Sequence, residues 1–472
     1  MNLTRSAVKL FGGHVGFVVL TFLGIMYFAR ELGATQIGVF FLFQALLSVL
    51  VLPANLGTRI ALEKRISENN RPGQMLTTGV LLKCGLVVPV VLAVLALSDV
   101  IDGYLGMELA IYLAIAIPLQ EAAMTMNNVV RGELRVGETA LIELSYIVVW
   151  VGVGVLLMNF GFGVIGLVYA VIAGYTVQFG YGFLKRDTPF HRPNLSCAQS
   201  IIEYAKYSIV PEIDGEIHSW MDVLIIGYLL TQAAVGAYEV AWRISMPVLL
   251  TAGAISLVLF PQISAWDAEE SIASIENVIP AALTPSLALV FPAFFGGLLF
   301  APEILGFIFG LEFTIASTAL VILLAGKVPE AVQSIVGKAL LGINRPDLVT
   351  RAASLDIVLN LVFNFVFIVQ FGLVGAAVGT TLAVTIGTAL RIHYLSRFLT
   401  LQVPYRDLGW CLFCSVIMFL VLFSLRATVG IETLPQLLLA VGFGVVLYCT
   451  LLVFYEPLRI QIVRQTRAMF VS

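Results

Sequence analysis

Phe162-Gly163-Val164-Ile165-Gly166 returns, 209 residues later and without a gap, as Phe371-Gly372-Leu373-Val374-Gly375. The same offset lays Glu121-Ala122 on Glu330-Ala331 and Ser145 on Ser354. Around each F-G-x-x-G stretch the order of features is the same: an apolar run, a charged loop, an apolar run, the turn, an apolar run. A second echo aligns Gln36-Ile37-Gly38-Val39-Phe40 with Ala234-Val235-Gly236-Ala237-Tyr238. The repeat contains an even number of apolar runs, so it predicts two lobes inserted in the same orientation. Parallel repeats related by an axis along the membrane normal are an architecture of alternating-access transporters.

The composition around this repeat requires a membrane. Of 472 residues, 12% are charged and 60% apolar, and mean hydropathy is +0.99. Soluble domains carry about 25% charged residues, and a globule of this size could not face water with so few. With roughly 20 residues per span, the apolar runs fall near 10–29, 37–58, 76–97, 108–129, 140–159, 163–184, 207–229, 235–262, 279–300, 315–341, 354–370, 373–395, 409–426 and 435–455. The predicted fold is all-α and polytopic, with about fourteen transmembrane helices. Two six-helix pseudo-symmetric lobes, 1–184 and 207–397, flank a polar linker at 185–206, and two C-terminal helices with a tail occupy 398–472.

The distribution of Lys and Arg tests the span count, because positively charged loops stay cytoplasmic. With the N-terminus inside, all but five of the 26 basic residues fall in inner segments or at inner helix ends. Arg30 and Arg426 lie outside, and Lys83, Arg243 and Lys327 lie within spans. Both termini are therefore expected in the cytoplasm, in a multi-pass protein of the cell membrane. One inner stretch carries no base, that from Pro261 through Trp266, Asp267, Glu269, Glu270 and Glu276, and it is expected to form a short amphipathic helix on the membrane surface.

Several functions are excluded at this level. A net charge of -3 with no basic face argues against nucleic acid. No G-x-x-x-x-G-K-[ST] phosphate loop occurs, and the outer loops hold too few polar residues for an enzyme site. Cys411 and Cys414 sit in an apolar run without a second pair, so they are expected to pack rather than bind metal. No metal and no resident cofactor is expected.

The stretch Phe28-Ala29-Arg30-Glu31-Leu32-Gly33 with Gly38-Val39-Phe40, the polar segment from Arg59 to Arg71, Gly342-Ile343-Asn344-Arg345-Pro346 and the two F-G-x-x-G turns resemble the polysaccharide-biosynthesis flippases of O-antigen type. These belong to the multidrug/oligosaccharidyl-lipid/polysaccharide superfamily, and the likeness covers nearly the whole chain. The resemblance implies a flippase moving polyprenyl- or dolichyl-(pyro)phosphate-linked oligosaccharides from the cytoplasmic to the outer leaflet, for surface polysaccharide or glycoprotein assembly. It implies as partners a lipid-linked oligosaccharide, the bilayer, and a polysaccharide polymerase, ligase or oligosaccharyltransferase. The alternative is a cation-coupled multidrug or metabolite antiporter of the same superfamily; the absence of acids inside the first two spans weighs against it.

Ionisable residues within spans are costly and are the default candidates for function. Lys83, Arg243 and Lys327 are the basic residues away from span ends, which makes them candidates for the phosphate-bearing headgroup. The competing reading is structural pairing, since Glu239 and Arg243 stand at i, i+4 and Lys327 and Glu330 at i, i+3. Glu212, Asp214, Glu216 and Asp222 make the seventh span the most acidic, with Pro211 and Gly215 able to break it; the competing reading starts the span later and leaves Glu212 to Glu216 at the inner interface. Broken, carboxylate-bearing helices are where transporters place coupling ions, so these acids are candidates for H+ or Na+ coupling. Glu121 and Glu330, equivalent across the repeat, are candidates for gating. Gly375-Ala376-Ala377-Val378-Gly379 reads as a small-residue seam for close helix packing.

Overall fold

The computed structural model describes residues 3–455, with side chains from residue 16 onward except those of 210–214 and 217–218. Every regular element among the described residues is helical. In chain order these are α1 (Leu3–Asn55), α2 (Thr58–Ser67), α3 (Pro72–Ala96), α4 (Ser98–Leu105), α5 (Ala110–Gly132), α6 (Val136–Asn159), α7 (Gly163–Lys185), α8 (Leu195–Leu229), α9 (Gln232–Ser245), α10 (Leu250–Ala268), α11 (Ile272–Ala288), α12 (Val290–Ile308), α13 (Ser317–Gly342), α14 (Pro346–Leu395), α15 (Tyr405–Val429) and α16 (Leu434–Val453). Short 3-10 segments join α9 to α10 and α12 to α13. Lipid offers backbone groups no hydrogen-bond partner, so a chain this apolar must satisfy them within helices.

Among the described residues, ten stretches are long and apolar enough to cross a membrane, or eleven if the bent pair α4 and α5 forms one span. Thirteen of the fourteen expected segments overlap these stretches, several through joins rather than loops; of the seventh, 207–229, the shorter apolar helix Ser219–Leu229 remains. The first two expected spans are the two arms of α1, divided only at Gly33, whose φ of 73° no β-carbon residue adopts easily. Spans 354–370 and 373–395 are likewise the arms of α14, divided at Gly372 with φ 59° and ψ -136°. The polar segment after the second span is α2, a helix and not an open loop.

Two expectations are corrected. The acidic stretch from Pro261 forms no separate surface helix: α10 runs through Pro261 to Ala268, and a tight turn at Glu269 and Glu270 leads into α11. The seventh span is unbroken, with α8 helical from Leu195 to Leu229 through Pro211 and Gly215. Breaks occur instead at Met246–Leu249, where Pro247 interrupts the eighth expected span, and at Leu289 between α11 and α12. The proline of Pro292 has no N–H to give the Ala288 carbonyl. The Tyr448 hydroxyl donates to that carbonyl at 2.6 Å.

The chain divides into two compact units at Gly236/Ala237. In the first, α8 packs on α1, α2 and α3, so by compactness residues 207–236 go with the first unit, whereas the repeat groups them with the second. Compactness follows packing and the repeat follows sequence, and the two need not divide a chain at one residue. The core of the first unit is the second arm of α1, where Ile37, Phe40, Phe41, Leu42 and Phe43 are all buried. Trp150 of α6 stacks on Phe40 and meets Phe28 edge-on, with centroids 5.9 and 5.2 Å apart. In the second unit, one apolar cluster joins α10, α11, α13 and the end of α14. Another joins α12, α15 and α16, and it contains Cys414, with Cys411 buried beside it.

The two F-G-x-x-G turns share a backbone conformation as well as a sequence. Gly163 and Gly372 have φ of 56° and 59°. The glycine three positions on, Gly166 or Gly375, lets its helix lie against the preceding one: a β-carbon would press on Leu157 in the first turn and on the Phe367 carbonyl in the second. Gly379 packs in the same way against Phe363 and Asn364, so the small-residue seam is a close-packing surface between the arms of α14.

The polar linker is a short extended strap, residues 186–194, before α8 begins at Leu195. The Glu133 carboxylate accepts from the amides of Asp187 and Thr188 at 2.9 and 2.8 Å and from the Thr188 hydroxyl at 2.8 Å. Farther along, Thr77 and Thr78 of α3 accept from the amides of His191 and Asn194. Asn194 caps α8 by accepting from the Ser196 amide at 2.9 Å, which explains an asparagine at this place.

Candidate functional site

In the first unit, α1 ends at Asn55 and the chain reverses through Leu56 and Gly57, both at positive φ. That turn sets α2 against α3 and α5. Lys83 of α3 donates to the Glu121 carboxylate of α5 and, at 3.2 Å, to the Asn55 side chain. The Arg59 guanidinium of α2 lies 3.3 Å from the other Glu121 oxygen. Glu121 is 2% exposed and Lys83 5%, so one buried carboxylate joins two cations from different helices. Charges taken from water in this way persist only when paired. Tyr175 of α7 is within electrostatic reach of both Arg59 and Glu216 of α8.

The acids expected to couple an ion lie along α8. Asp222 is buried and Glu216 half-buried; the side chains of Glu212 and Asp214 lie outside the described residues. In the second unit, Arg243 pairs with Glu239 at 2.8 Å along α9. Lys327 of α13 pairs with Glu330 at 2.7 Å. Its ammonium also sits 4.2 Å from the centre of the Trp242 ring and 3.5 Å from the Met246 sulfur, an aromatic face suited to a cation. All three span cations therefore meet a carboxylate, Arg243 and Lys327 at the helical spacings expected and Lys83 across two helices. Glu121 and Glu330, equivalent in sequence, each take a lysine, but Glu121 ties three helices together while the lysine of Glu330 is on its own helix.

Screening for charge alone passes over two asparagines of the second unit. Asn360 and Asn364, one turn apart, both donate to the Thr380 hydroxyl across the seam of α14, at 3.1 and 3.3 Å. Two asparagines at i, i+4 in an apolar run are the signal that could have found them, because a buried amide needs partners. Deeper toward the ends of the arms, Asp356 pairs with Arg391 at 2.5 Å and accepts from Gln333 at 3.4 Å. Thr388 donates to the Gln333 side chain and to the Pro329 carbonyl. Among the described residues, no group of three or more His, Cys, Asp or Glu is placed to hold a metal ion.

The model of a family described as polysaccharide biosynthesis protein matches residues 27–318. The "Probable low-salt glycan biosynthesis flippase Agl15" of Haloferax volcanii is 45% identical over 459 residues, 97% of each chain. The chain belongs to the polysaccharide biosynthesis protein family. A second relative in this family, "Probable flippase AglR" of the same organism, is 28% identical over 90% of each chain. Among solved structures, the lipid II flippase MurJ in an inward closed conformation has the same fold, with a TM-score of 0.83 over 96% of this chain and 99% of that one at 15% identity. An inward-facing multidrug resistance MATE transporter of the MOP superfamily has a TM-score of 0.62 over 80% of this chain and 94% of its own, at 19% identity. The family resemblance drawn from the glycine motifs is borne out, as is the polytopic all-α fold. This member of the polysaccharide biosynthesis family is a multi-pass membrane protein and a transporter, not an enzyme.

Proposed function

We propose that the protein flips polyprenyl- or dolichyl-(pyro)phosphate-linked oligosaccharides from the cytoplasmic to the outer leaflet by alternating access, with both termini in the cytoplasm. The observation that carries this reading is the end-to-end relationship, at 45% identity, to a protein named as a glycan biosynthesis flippase. Lys83, Arg243 and Lys327 are the headgroup candidates. Each is held by a carboxylate, and a phosphate that displaces the carboxylate exchanges one charge-assisted hydrogen bond for another. Such exchange keeps the cation paired throughout the cycle. The acids of α8, with Glu216 and Asp222 foremost, are candidates for H+ or Na+ coupling, and Glu121 and Glu330 for gating. A polymerase, ligase or oligosaccharyltransferase would take the glycan on the outer face.

The antiporter alternative has weaker support, since the MATE fold accounts for less of the chain than the MurJ fold does. The deciding experiment measures the sidedness of lipid-linked oligosaccharide in right-side-out and inverted vesicles from a deletion strain, using a sugar-binding probe. Accumulation on the cytoplasmic face, relieved by the intact gene, is the expected result. Normal arrival at the outer face without any redundant flippase would end this reading. For coupling, Glu216→Gln and Asp222→Asn are expected to abolish the dependence of transport on an ion gradient; a retained dependence removes these two acids from that role.

A further inference from the structure

A groove of about 380 Å3 runs along the first unit between α3, α5 and α7, on the flank of the bundle. Its walls are apolar, among them Val80, Val87, Val88, Pro118 and Phe179. The Lys83–Glu121 pair forms part of the lining, and because each partner closes on the other it offers a paired surface rather than a bare charge. The groove ends at Phe183 and Phe190, at the C-terminal end of α7 and in the strap beyond it.

Arg186 stands at that mouth, its guanidinium carbon 4.3 Å from the ring centres of both Phe183 and Phe190. It differs from the bases around it. Arg135 is taken by Glu138, Glu133 and Asp187, Lys185 reaches Glu138, and Arg131 reaches Glu143. Among the described residues no carboxylate pairs with Arg186: one N–H donates to the Thr188 carbonyl at 2.6 Å, and the buried Nε has no hydrogen-bond partner. An unpartnered guanidinium donor is costly, and a phosphate oxygen is the acceptor its fork geometry suits best.

We propose that this groove is a binding site for an anionic membrane phospholipid, with one hydrocarbon chain lying between α3, α5 and α7 and the phosphate on Arg186. An apolar channel opening at an unneutralised cation near a helix end is complementary to a lipid in both halves. A zwitterionic lipid brings its own cation to the same place and gains less there. The groove shares Lys83 and Glu121 with the residues proposed above for headgroup binding and gating, but the phosphate is placed on Arg186, and lipid retention is read without any transport.

Native mass spectrometry of the delipidated full-length protein, titrated with dioleoyl phosphatidylglycerol or dioleoyl phosphatidylcholine, reads the preference directly. Retention of phosphatidylglycerol several-fold above phosphatidylcholine is expected, and Arg186→Gln should level the two. Ala122→Phe, which fills the groove, should lower retention of phosphatidylglycerol. In a Cys449→Ala background, the exposed thiol of Cys84, which lines the groove, provides a readout without touching the site. Its maleimide labelling should slow several-fold with phosphatidylglycerol and not with phosphatidylcholine. Equal retention of the two lipids by the unaltered protein, or Cys84 labelling indifferent to phosphatidylglycerol, would overturn the proposal.

Discussion

Gly38 of α1 and Gly236 of α9 meet backbone to backbone: a β-carbon on Gly38 would run into the Gln232 carbonyl, and one on Gly236 into that of Ala34. These glycines hold equivalent places in the shorter sequence echo. Gly38→Ala or Gly236→Ala is expected to lower the melting temperature in detergent and the yield of monodisperse protein, because the opposing atoms are main chain and cannot turn aside. Gly85→Ala, where nothing lies within 4 Å, should leave both unchanged.

The Lys83–Glu121 pair predicts a double-mutant outcome. Lys83→Met leaves Glu121 with Arg59 as its remaining cation, whereas Glu121→Gln takes the carboxylate from both Lys83 and Arg59 and should cost more, toward the roughly 3–5 kcal/mol of breaking a buried pair. The double substitution Lys83→Met/Glu121→Gln should recover much of the thermal stability. If it folds well yet does not flip, the charges serve transport; wild-type flipping by the double variant would assign the pair to structure alone.

Asp356 lies so close over Gly387 that a β-carbon there would coincide with its carboxylate. Gly387→Ala should therefore displace Asp356 from Arg391 and destabilise the two arms of α14, much as Asp356→Asn would. The check is detergent melting of both single variants and the combination. Because both act through one contact, the combined loss should fall short of the sum of the two single losses.

Glu63, on the short helix α2, has its pKa pushed above the usual 4.5 chiefly by burial, opposed by Arg131 and by the hydrogen bond from Asn128. A carboxyl that binds its proton more tightly folded than unfolded penalises the fold above its folded pKa. The penalty is relieved as pH falls through that value toward 4.5. Glu63→Gln is expected to melt higher than the unaltered protein at neutral pH, with the difference shrinking in acid. A difference that grows as pH falls would contradict the burial account.

The membrane class and the duplicated glycine turns were legible because each depends on local chemistry. Gly163 and Gly372 recur at a fixed offset because both turns need positive φ, which glycine alone adopts without strain. The pairs Glu239–Arg243 and Lys327–Glu330 were legible because helical spacing places them. Local punctuation does not settle where a helix breaks: Pro211 lies within an unbroken α8, whereas Pro247 sits at a break. A proline removes one donor, and whether the helix survives depends on what surrounds it.

Composition and periodicity by themselves determined that the chain is an all-helical membrane protein built on a repeat, since hydropathy and glycine conformation are properties of single residues and short segments. Only the tertiary structure decided that Glu121 gathers Lys83 and Arg59 from two other helices, that Asn360 and Asn364 share Thr380, and that Arg186 lies between two aromatic rings with its Nε unsatisfied. Those relations depend on which helix faces pack together, and burial makes each of them selective: away from water, a polar group must find its partner in whatever the fold brings within reach.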